Sequence, residues 1–370
     1  MKVRGAVLRE MGAPAPYAES RPLEVADLEL DGPGPGEMLI RVGAAGLCHS
    51  DLSVIDGSRP RVMPMVLGHE AAGEVVELGP DVDDFEVGDH VVLAFVPACG
   101  ACEPCRSGRA ALCDAGAATN TAGSLLSGER RWHDGLHHHL GVSAFADHIV
   151  VSSRSAVRID EQIPFEIAAL FGCAVLTGVG AAVNAANVRT GESVAVFGLG
   201  GVGLAALLGA RAAGAVRIVA VDVVPAKLEL ARELGATDTV LAGEAAVEDV
   251  RAATGGGAQK VIETVGNAQV LAQAYAATRR GGTTVTVGLP HPSKMLEISA
   301  VSLVAEERTL RGSYLGSGVP AIEIPKLVEL YNAGLLPVDR LLTHTLPLDE
   351  VNEGFDRLAS GEAVRQAIVF

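Results

Sequence analysis

Six cysteines are spread unevenly along the chain, and their spacing carries the first chemical signal. Four form Cys99-x2-Cys102-x2-Cys105-x7-Cys113, while Cys48 and Cys173 stand apart. Four clustered thiolates can close a tetrahedral shell around one zinc and leave no position for a substrate, which is structural use. Iron–sulfur ligation is the other use of four cysteines, and free buried thiols are the third. Cys48 precedes His49, Ser50 and Asp51; His69 lies in Gly68-His69-Glu70; Cys173 closes Phe171-Gly172-Cys173. Singly, each is an ordinary core residue. Together, two thiolates and an imidazole hold zinc with its fourth position free, as Lewis-acid chemistry requires.

The second signal is Ser193–Asp222, SVAVFGLGGVGLAALLGARAAGAVRIVAVD. An apolar run, Val194–Phe197, leads into Gly198, Gly200, Gly201 and Gly203. A Gly/Ala/Leu-rich helical stretch, a second apolar run and Asp222 follow. This is the order of a dinucleotide site. Gly198 permits the tight turn, Gly200 removes a Cβ where pyrophosphate approaches, and Gly203 lets the helix lie on the strand. The helix N-terminus offers free N–H groups to phosphate. Asp222 suits the ribose hydroxyls and repels a 2′-phosphate, so the expected cofactor is NAD.

Two kinds of element must position these groups. Up to about residue 151 the chain reads as short strands separated by Gly/Asp turns, an irregular antiparallel barrel. Ser50 or Asp51 is the expected cap of a helix after the strand Met38–Ala44. Cys99–Cys113 reads as a loop, and Asp114–Leu140 as a long polar stretch of low periodicity. From about Thr177, strands and helices alternate through Gly288, which builds a doubly wound parallel sheet in an α/β fold. Helix is expected over Ile324–Asn332 and strand over Ala367–Phe370.

The 370 residues allow two full domains. A net charge of −16 argues against nucleic acid or an anionic membrane surface. The first residues, MKVRGAVLRE, lack an apolar signal core, so the expected location is the cytoplasm. Ala168–Val188 and Ser193–Ala210 are uncharged enough to raise the question of a membrane span. Their glycines favour buried core, and no membrane is expected.

On these motifs the chain resembles the zinc-dependent medium-chain alcohol dehydrogenases over essentially its whole length, and its long loop resembles the liver-type, longer-chain branch. The resemblance rests on Cys48-His49-Ser50-Asp51, Gly68-His69-Glu70, the four-cysteine loop, Gly172-Cys173 with Thr177, the glycine turn with Asp222, and Arg365. It implies a GroES-like catalytic domain over 1–176 and 318–370, around an inserted Rossmann NAD domain over 177–317. It also implies a homodimer acting on a small alcohol or aldehyde, with one catalytic and one structural zinc per chain. Cys48, His69 and Cys173 would hold the catalytic zinc, and Cys99, Cys102, Cys105 and Cys113 the structural one. Glu70 would sit beside the metal and bind it transiently, Asp51 would fix the tautomer of His69, and Ser50 would take the alcohol's proton. Phe95 and Leu140 would line the substrate pocket. Thr177, Val202, Val287 and Gly288 would hold the nicotinamide, Lys227 the adenosine ribose and Arg365 the pyrophosphate.

Two residues depart from the family pattern. His49 stands where an arginine often reaches the pyrophosphate, and an imidazole's charge varies with pH. Ser53 stands where the proton relay ends in a histidine, leaving water or His49 to carry the proton beyond Ser50. His137, His138 and His139 read as ordinary loop residues. Thiol-adduct formaldehyde dehydrogenases, working on glutathione or mycothiol, share the same fold and ligand sets. A non-catalytic zinc- and NAD-binding regulator or nucleic-acid module, which the cysteine loop alone would permit, is the rival from another class. The acidic charge and the separate open ligand set weigh against it.

Overall fold

The computed structural model describes all 370 residues. They form two compact units: Met1–Cys173 with Val319–Glu329 and Leu342–Phe370, and Ala174–Gly318 with Leu330–Leu341.

The first unit is built on the strand Glu37–Leu47, which is buried along nearly all its length, Arg41 excepted. Such a run of apolar residues, without alternation, fits a strand covered on both faces. It pairs antiparallel with Ala71–Leu78, His148–Ser152 and Arg365–Val369. Leu342–Leu346, His90–Leu93 and Ala156–Arg158 complete this seven-stranded sheet. A second sheet orders Leu23–Glu29, Lys2–Leu8, Met65–Val66 and His137–His138. The pairing is mainly antiparallel, as the turn spacing predicts. Two pairs are parallel: Leu342–Leu346 with Arg365–Val369, and Met65–Val66 with His137–His138.

The second unit is a six-stranded parallel sheet. Its order is Asp238–Leu241, Arg217–Asp222, Ser193–Phe197, Ala258–Glu263, Thr278–Thr286, Thr309–Gly312. Strand order reverses beside Ser193–Phe197, the switch point where open α/β sheets bind ligands. Only 4% of the chain is aromatic, so small residues fill this core: Ala195, Val219, Val221, Val250, Val261 and Ala274 pack around Phe197.

Four expectations are corrected. Residues 330–341 group with the second unit, although 318–370 were assigned whole to the first. The cause is packing: Leu336, Val338 and Leu341 are buried, and Arg340 pairs with Glu233 at 2.6 Å. The helix His49–Ile55 is capped by Cys48, in extended conformation, and not by Ser50 or Asp51. The cysteine loop contains the helical turn Glu103–Arg106 with a proline in its first turn. The polar stretch after it opens with the helix Asp114–Ala122, whose cap is the Cys113 sulfur, accepting from the Gly116 N–H at 3.3 Å. No single helix is long and apolar enough to cross a membrane.

Candidate active site

Cys48 ends the strand Glu37–Leu47 and caps the next helix, so its side chain is delivered at a strand-to-helix corner. His69 follows Gly68, whose φ is +89° and where a Cβ would press on the Phe145 backbone nitrogen at 2.7 Å. That close approach lets the Ala144 and Phe145 N–H groups donate to the Gly68 and Leu67 carbonyls, both at 3.0 Å. Cys173 ends a short helical segment, Ala169–Gly172. These three side chains, distant in sequence, place their ligand atoms within 4.8 Å of one another, all buried.

The imidazole of His69 is used at both nitrogens. Nδ1 lies 2.9 Å from Asp51 Oδ1, and Nε2 lies 3.6 Å from Cys173 Sγ. With the proton on Nδ1, the lone pair of Nε2 faces the sulfurs, which is the tautomer a metal needs. Burial alone would lower the His69 pKa, but the Asp51 carboxylate outweighs it and pushes it up to about 10. Their mutual hydrogen bond holds the Cys48 thiol well below its ordinary range and drives Cys173 well above its own. Two neighbouring sulfurs cannot both lose a proton without a compensating charge, and a divalent cation supplies that charge. The donor set fits zinc.

Asp51, fully buried, serves two imidazoles. Its Oδ1 is 2.9 Å from His69 Nδ1 and 3.1 Å from His139 Nδ1. His138 and His139 are 0% and 1% exposed, so their reading as ordinary loop residues is corrected. His137–His138 pairs with Met65–Val66, and His139 follows directly on that strand. Sequence spacing gives no hint that His139 meets Asp51, because 88 positions separate them. The only local signal is the turn-forming Leu-Gly-Val-Ser that follows.

Phe95 places its ring edge-on to His69, with centroids 5.3 Å apart at 86°. Its carbonyl accepts from Asn120 Nδ2 at 2.8 Å. Leu140 is buried with φ +52°. Ser50 is half-buried and His49 exposed on the first turn after Cys48. Ser53 donates its hydroxyl to the His49 carbonyl at 2.8 Å, an intrahelical contact. Glu70 and Arg365, both buried, form an ion pair. The guanidinium expected on a pyrophosphate is therefore committed to Glu70 in this structure.

The four-cysteine group is local and only partly buried, with all four sulfurs within 4.8 Å of one another. Backbone N–H groups point at the sulfurs: Ala101 and Cys102 at Cys99, Cys99 and Gly116 at Cys113, all between 3.3 and 3.5 Å. These donors hold Cys99 down to about 6, whereas burial pushes Cys105 up to about 12. This donor set also suits zinc, as a closed shell.

In the second unit the three glycine roles are visible. Gly198 has φ +89°, a Cβ at Gly203 would collide with the Gly198 carbonyl, and Gly200 has nothing within 4 Å of a notional Cβ. The helix Gly201–Ala212 begins at Gly200 with no side-chain cap, so its first N–H groups remain available. Asp222 ends its strand beside this turn. Its carboxylate accepts from Leu199 N–H at 2.6 Å and Val224 N–H at 2.9 Å. Thr177, Val202, Lys227, Val287 and Gly288 are half-buried. This open, N–H-rich cradle with a carboxylate beside it fits a dinucleotide. Glu263 is a residue that sequence reasoning missed. Its buried carboxylate accepts from Val265 N–H, Gly266 N–H and Thr286 Oγ1 at 2.6–2.7 Å, and its carbonyl from Val287 N–H at 3.0 Å. It thereby ties down the loop carrying Val287. An acid at a strand end followed closely by glycine was the available signal.

Comparison with known proteins agrees with this geometry. Residues 34–161 match the alcohol dehydrogenase GroES-like domain, and residues 201–333 the zinc-binding dehydrogenase family. The chain is 42% identical to putative alcohol dehydrogenase D of Mycobacterium tuberculosis, covering 100% of both chains. It is 40% identical to the NDMA-dependent alcohol dehydrogenase of Amycolatopsis methanolica, over 100% of this chain and 99% of that one. An S-(hydroxymethyl)glutathione dehydrogenase of Escherichia coli is 38% identical over 95% of this chain and 97% of its own. Among solved structures, an alcohol dehydrogenase zinc-binding domain protein from Burkholderia ambifaria superposes with a TM-score of 0.94. It is 38% identical, and the match covers 100% of this chain and 99% of that one.

Proposed function

The chain belongs to the zinc-dependent medium-chain alcohol dehydrogenases, and from that premise we propose the residues and partners through which it oxidises an alcohol with NAD. The observation that carries the reading is the buried meeting of Cys48, His69 and Cys173, with the far side of His69 anchored on Asp51.

Cys48, His69 and Cys173 hold a catalytic zinc, and Cys99, Cys102, Cys105 and Cys113 a structural one. Zinc held by the first set would supply Lewis acidity, and NAD held at the glycine turn would supply hydride-accepting chemistry. Asp51 keeps the His69 proton on Nδ1. Ser50 receives the proton released by the alcohol and passes it to water or His49. Glu70 stands in reserve beside the metal, held by Arg365. Phe95 and Leu140 present apolar surface to the substrate. Gly198, Gly200, Gly201 and Gly203 shape the phosphate cradle. Thr177, Val202, Val287 and Gly288 position the nicotinamide, while Asp222 and Lys227 hold the adenosine ribose.

Two further features are proposed. The chain forms a homodimer: Thr309–Gly312 is an open sheet edge, and the segment before it exposes Met295, Val301 and Val304 at 83%, 70% and 80%. It works in the cytoplasm, where its six cysteines, none in a disulfide, stay reduced.

Purified enzyme mixed with NAD and short aliphatic, terpenoid and benzylic alcohols should yield NADH. A parallel arm supplies NDMA as acceptor, because one relative bears that dependence in its name. No oxidation in either arm, with no aldehyde reduction by NADH, would refute the reading. The relative named for S-(hydroxymethyl)glutathione supports one alternative, oxidation of a formaldehyde–thiol adduct. Formaldehyde turnover that requires glutathione or mycothiol would select it.

A further inference from the structure

We propose that His139 is a positioning residue for the metal, acting through Asp51 on His69. The proposal rests on the assignment of Cys48, His69 and Cys173 as metal ligands.

Three observations converge on it. Asp51 has one oxygen, Oδ1, facing both imidazoles, while its Oδ2 is buried without a partner. The carboxylate therefore has little else to fix its orientation. The His139 approach at 3.1 Å is bent away from a straight hydrogen bond, so it acts mainly as an oriented dipole at short range. Second, the His139 ring stands edge-on to His69, with centroids 5.5 Å apart at 87°. Phe95 meets His69 with nearly the same geometry.

Third, the backbone around His139 is held where few residues sit freely. Leu140, Gly141 and Ser143 all have positive φ, at +52°, +67° and +56°. Left-handed geometry at two non-glycine residues is maintained only where surrounding contacts over-determine it. Those contacts are present. His139 N–H donates to Ser143 Oγ at 2.9 Å, and Val142 and Ser143 N–H groups donate to the His139 carbonyl at 3.0 and 3.1 Å. Directly after Ser143, Ala144 and Phe145 are laced to Gly68 and Leu67. His139 and His69 thus sit on two backbone segments that are hydrogen-bonded to each other.

Asp51, His69 and His139 also lie close enough to be read as a metal trio of their own. That would require His69 to give up its Nδ1 proton while Nε2 serves another ion. A shared carboxylate between two imidazoles needs no such step.

The test compares His139→Phe, which keeps the ring edge but offers no N–H, with His139→Asn, whose amide nitrogen stands near the Nδ1 position. Zinc release to a chromogenic chelator is followed for both, with the four-cysteine zinc as internal reference. Loss of an outer partner of a metal ligand typically costs about 10–100-fold in affinity. His139 stands one step further out, so the Phe variant should release the three-residue zinc faster by up to about tenfold, the low end of that range, the Asn variant should stay near wild type, and the four-cysteine zinc should not change. The cobalt-substituted site should show an altered visible spectrum only in the Phe variant. If the Phe variant does not fold, His139→Leu takes its place. Equal retention in Phe and wild type, or equal loss in Phe and Asn, would overturn the proposal. So would a third zinc per chain that both variants lose. Wild type binding only the four-cysteine zinc would instead refute the ligand assignment beneath it.

Discussion

The two cysteine groups, each proposed to hold zinc, bring their thiols together in two different ways. The Cys99–Cys113 group is assembled within one loop, with backbone N–H groups aimed at its sulfurs and three of its four cysteines partly exposed. The Cys48, His69 and Cys173 group is assembled from three distant elements and is wholly buried. The local site supplies four donors and organises its own loop. The dispersed site supplies three donors, and the fold must be complete before they meet. The first therefore stabilises a structure, and the second depends on one.

That contrast predicts opposite consequences for equivalent mutations. Cys48→Ala, which leaves the buried His69–Asp51 pair intact, should lower turnover by at least about a thousandfold, since several kcal/mol of Lewis-acid assistance at ~1.4 kcal/mol per tenfold is removed. Its melting temperature should stay within a few degrees of wild type. Steady-state kinetics and calorimetry check both, and activity retained after that zinc is lost would break the comparison. Cys102→Ala should reverse the order: melting falls first, by about 5 °C or more, because metal binding energy there is folding energy. Normal melting without the loop zinc would contradict it.

A smaller effect belongs to the cofactor. Asp222→Asn removes the charge and keeps an acceptor for only one of the Leu199 and Val224 N–H groups, since each donates to its own carboxylate oxygen. Charged hydrogen bonds contribute about 1.5–3 kcal/mol, so discrimination against NADP should narrow by about 10–100-fold in kcat/KM. Unchanged preference would remove Asp222 from the ribose site.

The smallest effect concerns pH. Burial lowers His138 to about 3, with the Arg131 and Arg130 charges adding to it. Its folded pKa lies below the unfolded value of about 6.5, so the unfolded chain binds the extra proton and stability falls as pH drops through that window. His138→Gln, which can still accept from the Arg131 N–H, should flatten the fall in melting temperature between pH 7 and 5. An identical slope in both proteins would show that other groups set it.

The same local-versus-dispersed distinction explains what was legible in the sequence. The four-cysteine loop and the glycine turn could be read because their parts are neighbours along the chain. The parallel sheet could be read because alternation of strand and helix is itself local. The open metal group could be read only as three scattered candidates, which family resemblance then joined, and His139 not at all, because nothing in the 87 intervening residues encodes its meeting with Asp51. The assignment of 330–341 failed for the same reason: the buried Leu336, Val338 and Leu341 pack through tertiary contacts that chain order does not reveal.

Anomalous diffraction at the zinc edge tests the central claim most directly. Two peaks per chain are expected. One should lie about 2.3 Å from the sulfurs of Cys48 and Cys173 and about 2.0 Å from Nε2 of His69, and the other should be surrounded by the four loop sulfurs. A lone peak in the loop, with the buried thiols and imidazole sharing no ion, would contradict the account.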